Sequence, residues 1–211
     1  MNELRDSGVD PLIIDAGDLF FSTANLNSKN KKSELYRASA ILEGYNRVGC
    51  DAINVGHYEM LNGLSFLKSM EEKTEIPFLS ANLRDAQTNK LLFEPFRIIE
   101  KELLKIGIVG VTDKLPDTTK SMIADNYIEA GNHYIDEVSK QADIIVIMVN
   151  SDRKTYSELP TLFANADFIV TSGSTNMTRE NTKQTEGGPF LYSCGKQGKY
   201  MSVLSVNMED K

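Results

Sequence analysis

Residues 45–63, YNRVGCDAINVGHYEMLNG, carry the pattern that decides the fold. The first residues of this stretch continue a spacing of apolar side chains that is typical of a helix. The helix is predicted to end at Gly49. Residues 52–55 are a short run typical of a buried strand, and the polar sequence His-Tyr-Glu follows at residues 57–59. A helix, a strand and a polar loop in this order are typical of an α/β protein that presents functional groups where its strands end.

Outward from this block, strand-like and helix-like segments alternate. Residues 12–14 are an apolar run that ends in Asp-Ala-Gly-Asp at 15–18, as expected for a buried strand that delivers carboxylates to a loop. Ser33 is placed to cap the helix that ends at Gly49. We also predict helices at residues 64–70 and about 126–142, strands at 77–80, 144–149 and 168–170, and hairpins at 91–111 and 189–206. The alternation predicts a layered α/β sandwich with mixed central β-sheets, as a single domain over residues 1–211.

Composition and charge restrict the classes of function. With 211 residues, 41% of them hydrophobic, the chain is long enough to bury a full core. Its net charge of -7 disfavours nucleic-acid binding, since the lysines at residues 29–32 lie in a stretch typical of a solvated loop. The sequence has no apolar run of membrane-spanning length and no basic-then-apolar signal peptide. Cys50 and Cys194 are far apart, so neither a disulfide framework nor a thiolate zinc site is indicated.

The block at residues 45–63 resembles the metal-and-catalysis motif of the calcineurin-like metallophosphoesterases, in their 5'-nucleotidase branch. There the motif runs roughly Tyr-Asn-x-x-Gly-x-Asp-Ala-x-x-x-Gly-Asn-His-Glu-Phe-Asp-x-Gly, and the two align without a gap. His57 stands where the family has a metal-binding Asn, and Tyr58 where it has its catalytic His. The resemblance therefore implies the family's framework with a changed reactive pair.

Other segments resemble the family in the same order along nearly the whole chain. Residues 15–20 resemble its second motif, in which the later Asp, here Asp18, bridges two metal ions. Residues 78–83 resemble the segment after the Asn-His-Glu block, residues 106–112 its Gly-rich strand, and residues 197–200 its closing turn. The resemblance implies an αββα sandwich, in which helices flank two central sheets.

By this resemblance the activity is phosphoester hydrolysis with a divalent metal cofactor, manganese or zinc. Two cations about 4 Å apart clamp the phosphate and lower the pKa of the attacking water. Of the positions that bind metal in the family, we expect only Asp18, His57 and Asn150 to remain as candidate ligands. The family's first motif has no counterpart in the chain, and Gly173 and Thr175 stand where the family has two late His residues. Two or three ligands do not make a dinuclear centre, so a site without bound metal is the alternative.

The residues of the altered motif each have two interpretations. His57 and Tyr58 are the candidate catalytic residues by their place in the motif. A phenol is a poor proton donor near neutral pH, so Tyr58 also fits a packing role. His57 fits either a weak metal ligand or a partly buried histidine bonded to Asp18 or to backbone, and Asp18 fits either the metal bridge or a loop cap. We expect Glu59 to hold the loop structure, as its counterpart does.

Charged residues outside the motif are weaker candidates. Gly-Asn-His at residues 131–133 repeats the letters of the lost motif, but helical spacing places His133 opposite the apolar face, as a solvated side chain. Arg153, Arg179 and Lys196 are candidates either for a residual anion pocket or for isolated surface charges.

Two classes of function stay open. The first is a hydrolase, either a divergent phosphoesterase of the 5'-nucleotidase type acting on a small phosphorylated molecule, or a relative of the periplasmic sulfur-oxidation thiohydrolases, whose block is similar to residues 57–59. The second is a non-catalytic ligand-binding or interaction module on the same fold. The resemblance implies a periplasmic or cell-surface location. The chain opens within a helix-like segment, as a truncated gene would, and we expect no C-terminal nucleotide-binding domain within these residues.

Overall fold

The computed structural model describes residues 2–117, 119–173, 177–179, 184, 186–195 and 200–206. Its helices are α1 (Asn2–Asp6), α2 (Lys31–Val48), α3 (Leu64–Glu71), α4 (Tyr127–Val138) and α5 (Leu159–Leu162). Its strands are β1 (Ile14–Asp15), β2 (Ala52–Asn54), β3 (Phe78–Leu79), β4 (Leu83–Asp85), β5 (Phe96–Lys101), β6 (Leu104–Thr112), β7 (Met122–Ala124), β8 (Ile144–Ser151), β9 (Phe168–Gly173) and β10 (Phe190–Tyr192). Short 3₁₀ turns span Tyr58–Met60 and Arg153–Glu158.

The first sheet is parallel and has the strand order β1-β2-β3. Helix α2 buries Ala38 and Leu42, one turn apart, and these side chains share a core with Ile53 of β2 and Phe78 of β3. Helix α3 adds Leu67 to the same core. Burial of this apolar surface holds α2 and α3 against the outer face of the sheet.

The second sheet has the strand order β10-β9-β8-β6-β5, in which β5 alone is antiparallel to its neighbour. Strand β8 is buried along its whole length, which explains its continuous apolar sequence. Ile145 and Ile147 pack in a core with α4 and α5, whereas Val146 and Met148 face a core shared with the first sheet. The layers are therefore helix, sheet, sheet, helix, with β4 and β7 as a separate antiparallel pair.

The predicted fold class is confirmed, as are several of its elements. The layered sandwich with mixed sheets is present, and β5 and β6 form the predicted hairpin. Helix α2 ends at the predicted Gly49, whose left-handed conformation at φ 69° lets its N–H bond the carbonyls of the last turn.

Cys50 and Cys194 are both free, and Cys50 is buried. No helix within the described ranges is both long and apolar enough to cross a lipid bilayer.

Two predicted boundaries are wrong. Helix α2 begins at Lys31 after Asn30, and Ser33 lies in its first turn, donating its hydroxyl to the Asn30 carbonyl. The side chain of Asn30 instead ties down the preceding turn, through bonds to Asn25 and Asn27. Helix α4 ends at Val138, short of residue 142, because two following N–H groups converge on its carbonyl and turn the chain.

The predicted closing hairpin is also wrong. Strand β10 pairs in parallel with β9, not antiparallel with a later strand. Phe190 enters the sheet beside the start of β9 by donating its N–H to the Asp167 carbonyl. Residues 200–206 have no assigned strand, and the predicted turn at residues 196–199 lies outside the described residues.

Candidate functional site

The carboxyl ends of strands from both sheets converge on one polar cluster. Asp18 follows β1, His57 follows β2, Asn150 lies near the end of β8, and Ser172 near the end of β9. The loops after β1 and β2 pass close to each other because both carry glycine at the crossing. A Cβ on Gly17 would lie 2.8 Å from the Gly56 nitrogen. The sequence-predicted candidates therefore lie together at this edge.

Glu59 fixes the loop that carries Asp18. It is fully buried, and its carboxylate accepts hydrogen bonds from the N–H groups of Asp18, Leu19, Phe20 and Gly56 at 2.6–3.1 Å. Burial and then the charge of Asp18 raise the pKa of Glu59 to about 8, against the opposing effect of these bonds. The prediction that Glu59 holds loop structure is confirmed by these contacts.

Asp18 has an unusual backbone and an engaged carboxylate. Its φ of 62° lies in the left-handed region, which side chains rarely adopt, and the Glu59 bonds hold it there. One carboxylate oxygen accepts the N–H of Tyr58 at 2.9 Å, and Asn150 and His57 lie beside the group. Burial raises the pKa of Asp18, since it disfavours the charged form more strongly than these partners favour it.

His57 connects the two sheets through its backbone and its ring. Its N–H donates to the side-chain oxygen of Asn150 at 2.9 Å. Its ring Nδ1 lies 3.2 Å from the carbonyl of Lys114, in the loop after β6. This geometry is that of a partly buried histidine bonded to backbone, which is one of the two interpretations given by the sequence.

Tyr58 packs at the edge of the first core. Its ring contacts the buried cluster under α2 and α3 and lies 6.0 Å, centroid to centroid, from the His57 ring. Burial and then the nearby charge of Asp18 raise the pKa of the Tyr58 phenol. The phenol therefore stays protonated near neutral pH. A catalytic role for His57 and Tyr58 remains a prediction.

Asn150 and Ser172 complete the cluster. The Asn150 amide donates to the Ser172 hydroxyl at 2.8 Å, and that hydroxyl donates to the Ala16 carbonyl at 2.6 Å. Asn150 is buried, and its side-chain oxygen is already bonded to the N–H of His57. Sequence reasoning gave Ser172 no role. The available signal was a pair of hydroxyl side chains, Thr171 and Ser172, after the apolar run at residues 168–170.

Two more polar side chains were missed by sequence reasoning. The Asn54 amide donates to the carbonyls of Ala16 and Val111, and the Thr112 hydroxyl donates to the Val55 carbonyl. Both side chains are fully buried and join the first sheet to the second. Polar residues inside the apolar runs at 52–55 and 106–112 were the available signal.

The donors in the described part of the chain do not fit a pair of metal ions. Within that part, no three His, Cys, Asp or Glu side chains form a group suited to hold a cation. One Asp18 oxygen and the Asn150 oxygen bond backbone N–H groups, and both Glu59 oxygens do the same. Gly173 offers no side chain, and Thr175 lies outside the described residues. A two-metal centre needs several free oxygen and nitrogen donors, which this cluster does not present.

Of the other charged candidates, two are exposed and two lie outside the described positions. His133 is exposed on α4 with its ring 4.8 Å from that of Tyr134, as predicted for a solvated residue. Arg179 is exposed. The side chain of Arg153 and all of Lys196 lie outside the described part. An open cavity of about 350 Å³ lies at the opposite, amino ends of β8, β9 and β10, apart from the cluster.

Comparisons with known proteins show what the chain is similar to. No protein-family model matches the chain. It is 36% identical over 102 residues to the 5'-nucleotidase of Vibrio cholerae serotype O1, covering 48% of this chain and 18% of that protein. It is also 36% identical over 104 residues to protein UshA of Salmonella pullorum, covering 49% and 18%. The solved sulfate thiohydrolase SoxB of Thermus thermophilus, in complex with glycerol, superposes with a TM-score of 0.74 at 17% identity, over 92% of this chain and 35% of that one.

The chain spans about a fifth of the length of the curated relatives it matches. The structural likeness, at low identity, shows the shared fold, and the sequence likeness connects the chain to the 5'-nucleotidases. The 5'-nucleotidase family is metal-dependent, whereas the donor atoms described in this chain do not fit a pair of metal ions. The chain is therefore similar in sequence to 5'-nucleotidases over about half its length, and it shares the fold of solved 5'-nucleotidase structures.

Proposed function

We propose that this chain is a 5'-nucleotidase-type phosphoesterase domain that has lost two-metal hydrolysis. The observation that carries the proposal is that the oxygens that could bind a metal already accept hydrogen bonds. The oxygens of Asp18, Asn150 and Glu59 that face the cluster accept N–H groups of the chain itself. A cation that recruited them would leave those buried N–H groups without partners, at a cost of about 1–3 kcal/mol each.

The chemistry of the altered motif supports the same proposal. Two-metal hydrolysis requires one ion to generate the nucleophile and both to stabilise the phosphoryl charge. A proton donor must then act near neutral pH. Tyr58 has a raised pKa and packs against the core, so it is poorly suited to replace the family's His.

The ligand and location follow as parts of this proposal. The relatives named 5'-nucleotidase support a small phosphorylated molecule as the ligand class, bound without turnover at the carboxyl edge of the sheets. A periplasmic or cell-surface location is proposed on the same family basis, with residues 1–211 as one domain. The net charge of -7 disfavours nucleic acid as a partner.

Turnover assays test the proposal. Purified protein is expected to show no manganese-dependent hydrolysis of AMP or of a bis-aryl phosphodiester above background. Asp18→Asn is the matched control, because contamination by a host phosphatase would survive that change. Turnover that is present in the wild type and disappears in the variant would restore the hydrolase assignment.

A further inference from the structure

A continuous path of hydrogen bonds crosses between the two sheets at their carboxyl edge. It runs from the His57 N–H to the Asn150 side-chain oxygen, from the Asn150 amide to the Ser172 hydroxyl, and from that hydroxyl to the Ala16 carbonyl. Its lengths are 2.9, 2.8 and 2.6 Å in that order. The last bond joins residues 156 positions apart in sequence. We call these four groups the edge clamp.

The edge clamp lies at positions that matter for the family's metal chemistry. The sequence resemblance matched His57 and Asn150 to metal-binding positions, and Ser172 directly precedes Gly173, which stands where the family has a late His. All four groups link the loops after β1 and β2 to strands β8 and β9. In a metal-binding relative of this design, a cation held between the same strands would also bridge the sheets.

We infer that the edge clamp takes over the structural task of a bridging cation, so that the folded domain is stable without divalent metal. This inference rests on the proposed loss of two-metal hydrolysis. The clamp is satisfied by neutral groups alone, and it leaves neither the Asn150 amide nor the Ser172 hydroxyl without a partner. Buried polar groups in such a network stabilise one arrangement of the strands.

The packing around the clamp opposes replacement by a metal. Gly56 lies so close to Asn150 that a Cβ would come within 3.0 Å of the Asn150 side-chain carbon. The Ala16 carbonyl also accepts the Asn54 amide at 3.0 Å, which fixes the acceptor end of the path. Rotating Asn150 toward a cation would break its bonds to His57 and Ser172 together.

Thermal unfolding of the wild-type chain is the primary test. We expect the same midpoint in buffer, after treatment with a chelator such as EDTA, and with added manganese or zinc chloride. Any ligand that binds only the folded state raises the midpoint by mass action. A midpoint that falls on chelation, or rises with either metal, would overturn the inference. This test needs no variant to fold.

Variants test whether the clamp carries the stability. Ser172→Ala removes two bonds of the path and is expected to lower the midpoint by roughly 3–6 °C, with faster amide hydrogen exchange at residues 16–20. Ser69→Ala is the matched control, because the Ser69 hydroxyl bonds only the Phe66 carbonyl within α3. It is expected to change the midpoint much less and to leave exchange at residues 16–20 unchanged. Equal effects of the two substitutions would contradict the inference.

The failures of the two proposals are distinguishable. Manganese-dependent turnover that Asp18→Asn abolishes would contradict the proposed loss of hydrolysis, and with it the inference that rests on that loss. A midpoint that rises with manganese in a chain without turnover would contradict only the edge clamp.

Discussion

Four backbone N–H groups from two loops point at the single carboxylate of Glu59. This contact positions Asp18, whose backbone lies in the left-handed region, and holds it beside the Tyr58 N–H. One buried acid therefore organises the polar cluster without facing solvent. In the sequence, the position of Glu59 in the family motif was the indication of this role.

Above about pH 8, where Glu59 is ionised, Glu59→Gln is expected to lower the free energy of unfolding by about 2–4 kcal/mol, because an amide presents one acceptor oxygen where the carboxylate has two. Its NH₂ group would also face N–H donors. Urea denaturation measures the change. Glu43→Gln is the control, since Glu43 is exposed on α2 and pairs only with Arg47, and a change below about 0.5 kcal/mol is expected there. A loss at Glu59 as small as that at Glu43 would disprove the anchoring role.

At the scale of elements, the approach of α4 to β6 depends on a residue without a side chain. A Cβ on Gly107 would lie 1.9 Å from a methyl carbon of Val138, closer than any two such atoms can pack. Gly44, in contrast, lies in α2, where a Cβ would meet no atom within 4 Å beyond its chain neighbours and the backbone of its own helix. The packing therefore excludes a side chain at Gly107 but leaves room for one at Gly44.

Gly107→Ala is expected to destabilise the chain by about 1–3 kcal/mol, because the new methyl group displaces α4. Gly44→Ala is expected to stabilise it by up to about 1 kcal/mol, since alanine has the higher helix propensity. Urea midpoints of both variants, measured against the wild type, check this pair. The same sign for both changes would contradict the packing of α4 on β6.

At the scale of the whole molecule, buried carboxyl groups link stability to pH. Burial raises the pKa of Asp15, Asp18 and Glu59 above their usual values of 3.8 to 4.5, and that of Glu59 to about 8. The folded chain thus holds these protons more tightly than the unfolded chain does. The resulting stabilisation is complete below about pH 4 and is lost as pH rises toward about 8.

We therefore expect the free energy of unfolding to fall by about 1–4 kcal/mol between about pH 5 and pH 8, as measured by urea titration. Asp18→Asn removes one of the three acids and is expected to make this decline shallower. Stability that increases over the same range would show that these carboxyls are not held protonated by burial.

The sequence by itself determined most of the order of elements and the resemblance to 5'-nucleotidases. The apolar run of β8 and the helix that ends at Gly49 have local causes, in side-chain hydrophobicity and in the backbone freedom of glycine, so they could be predicted. The matches of Asp18, His57 and Asn150 to family positions predicted which side chains meet at the carboxyl edge. The position of each side chain after a strand was sufficient for this prediction, because parallel strands bring their carboxyl ends to one edge of a sheet.

Only the tertiary structure decided how that edge is held together. The bonds from Ser172 to Ala16, from Asn150 to His57 and from Asn54 to Val111 join residues between 57 and 156 positions apart. No local pattern encodes such pairs, because each depends on how the two sheets stack. The parallel pairing of β10 was missed for the same reason: its partner is chosen by the sheet and not by the neighbouring sequence.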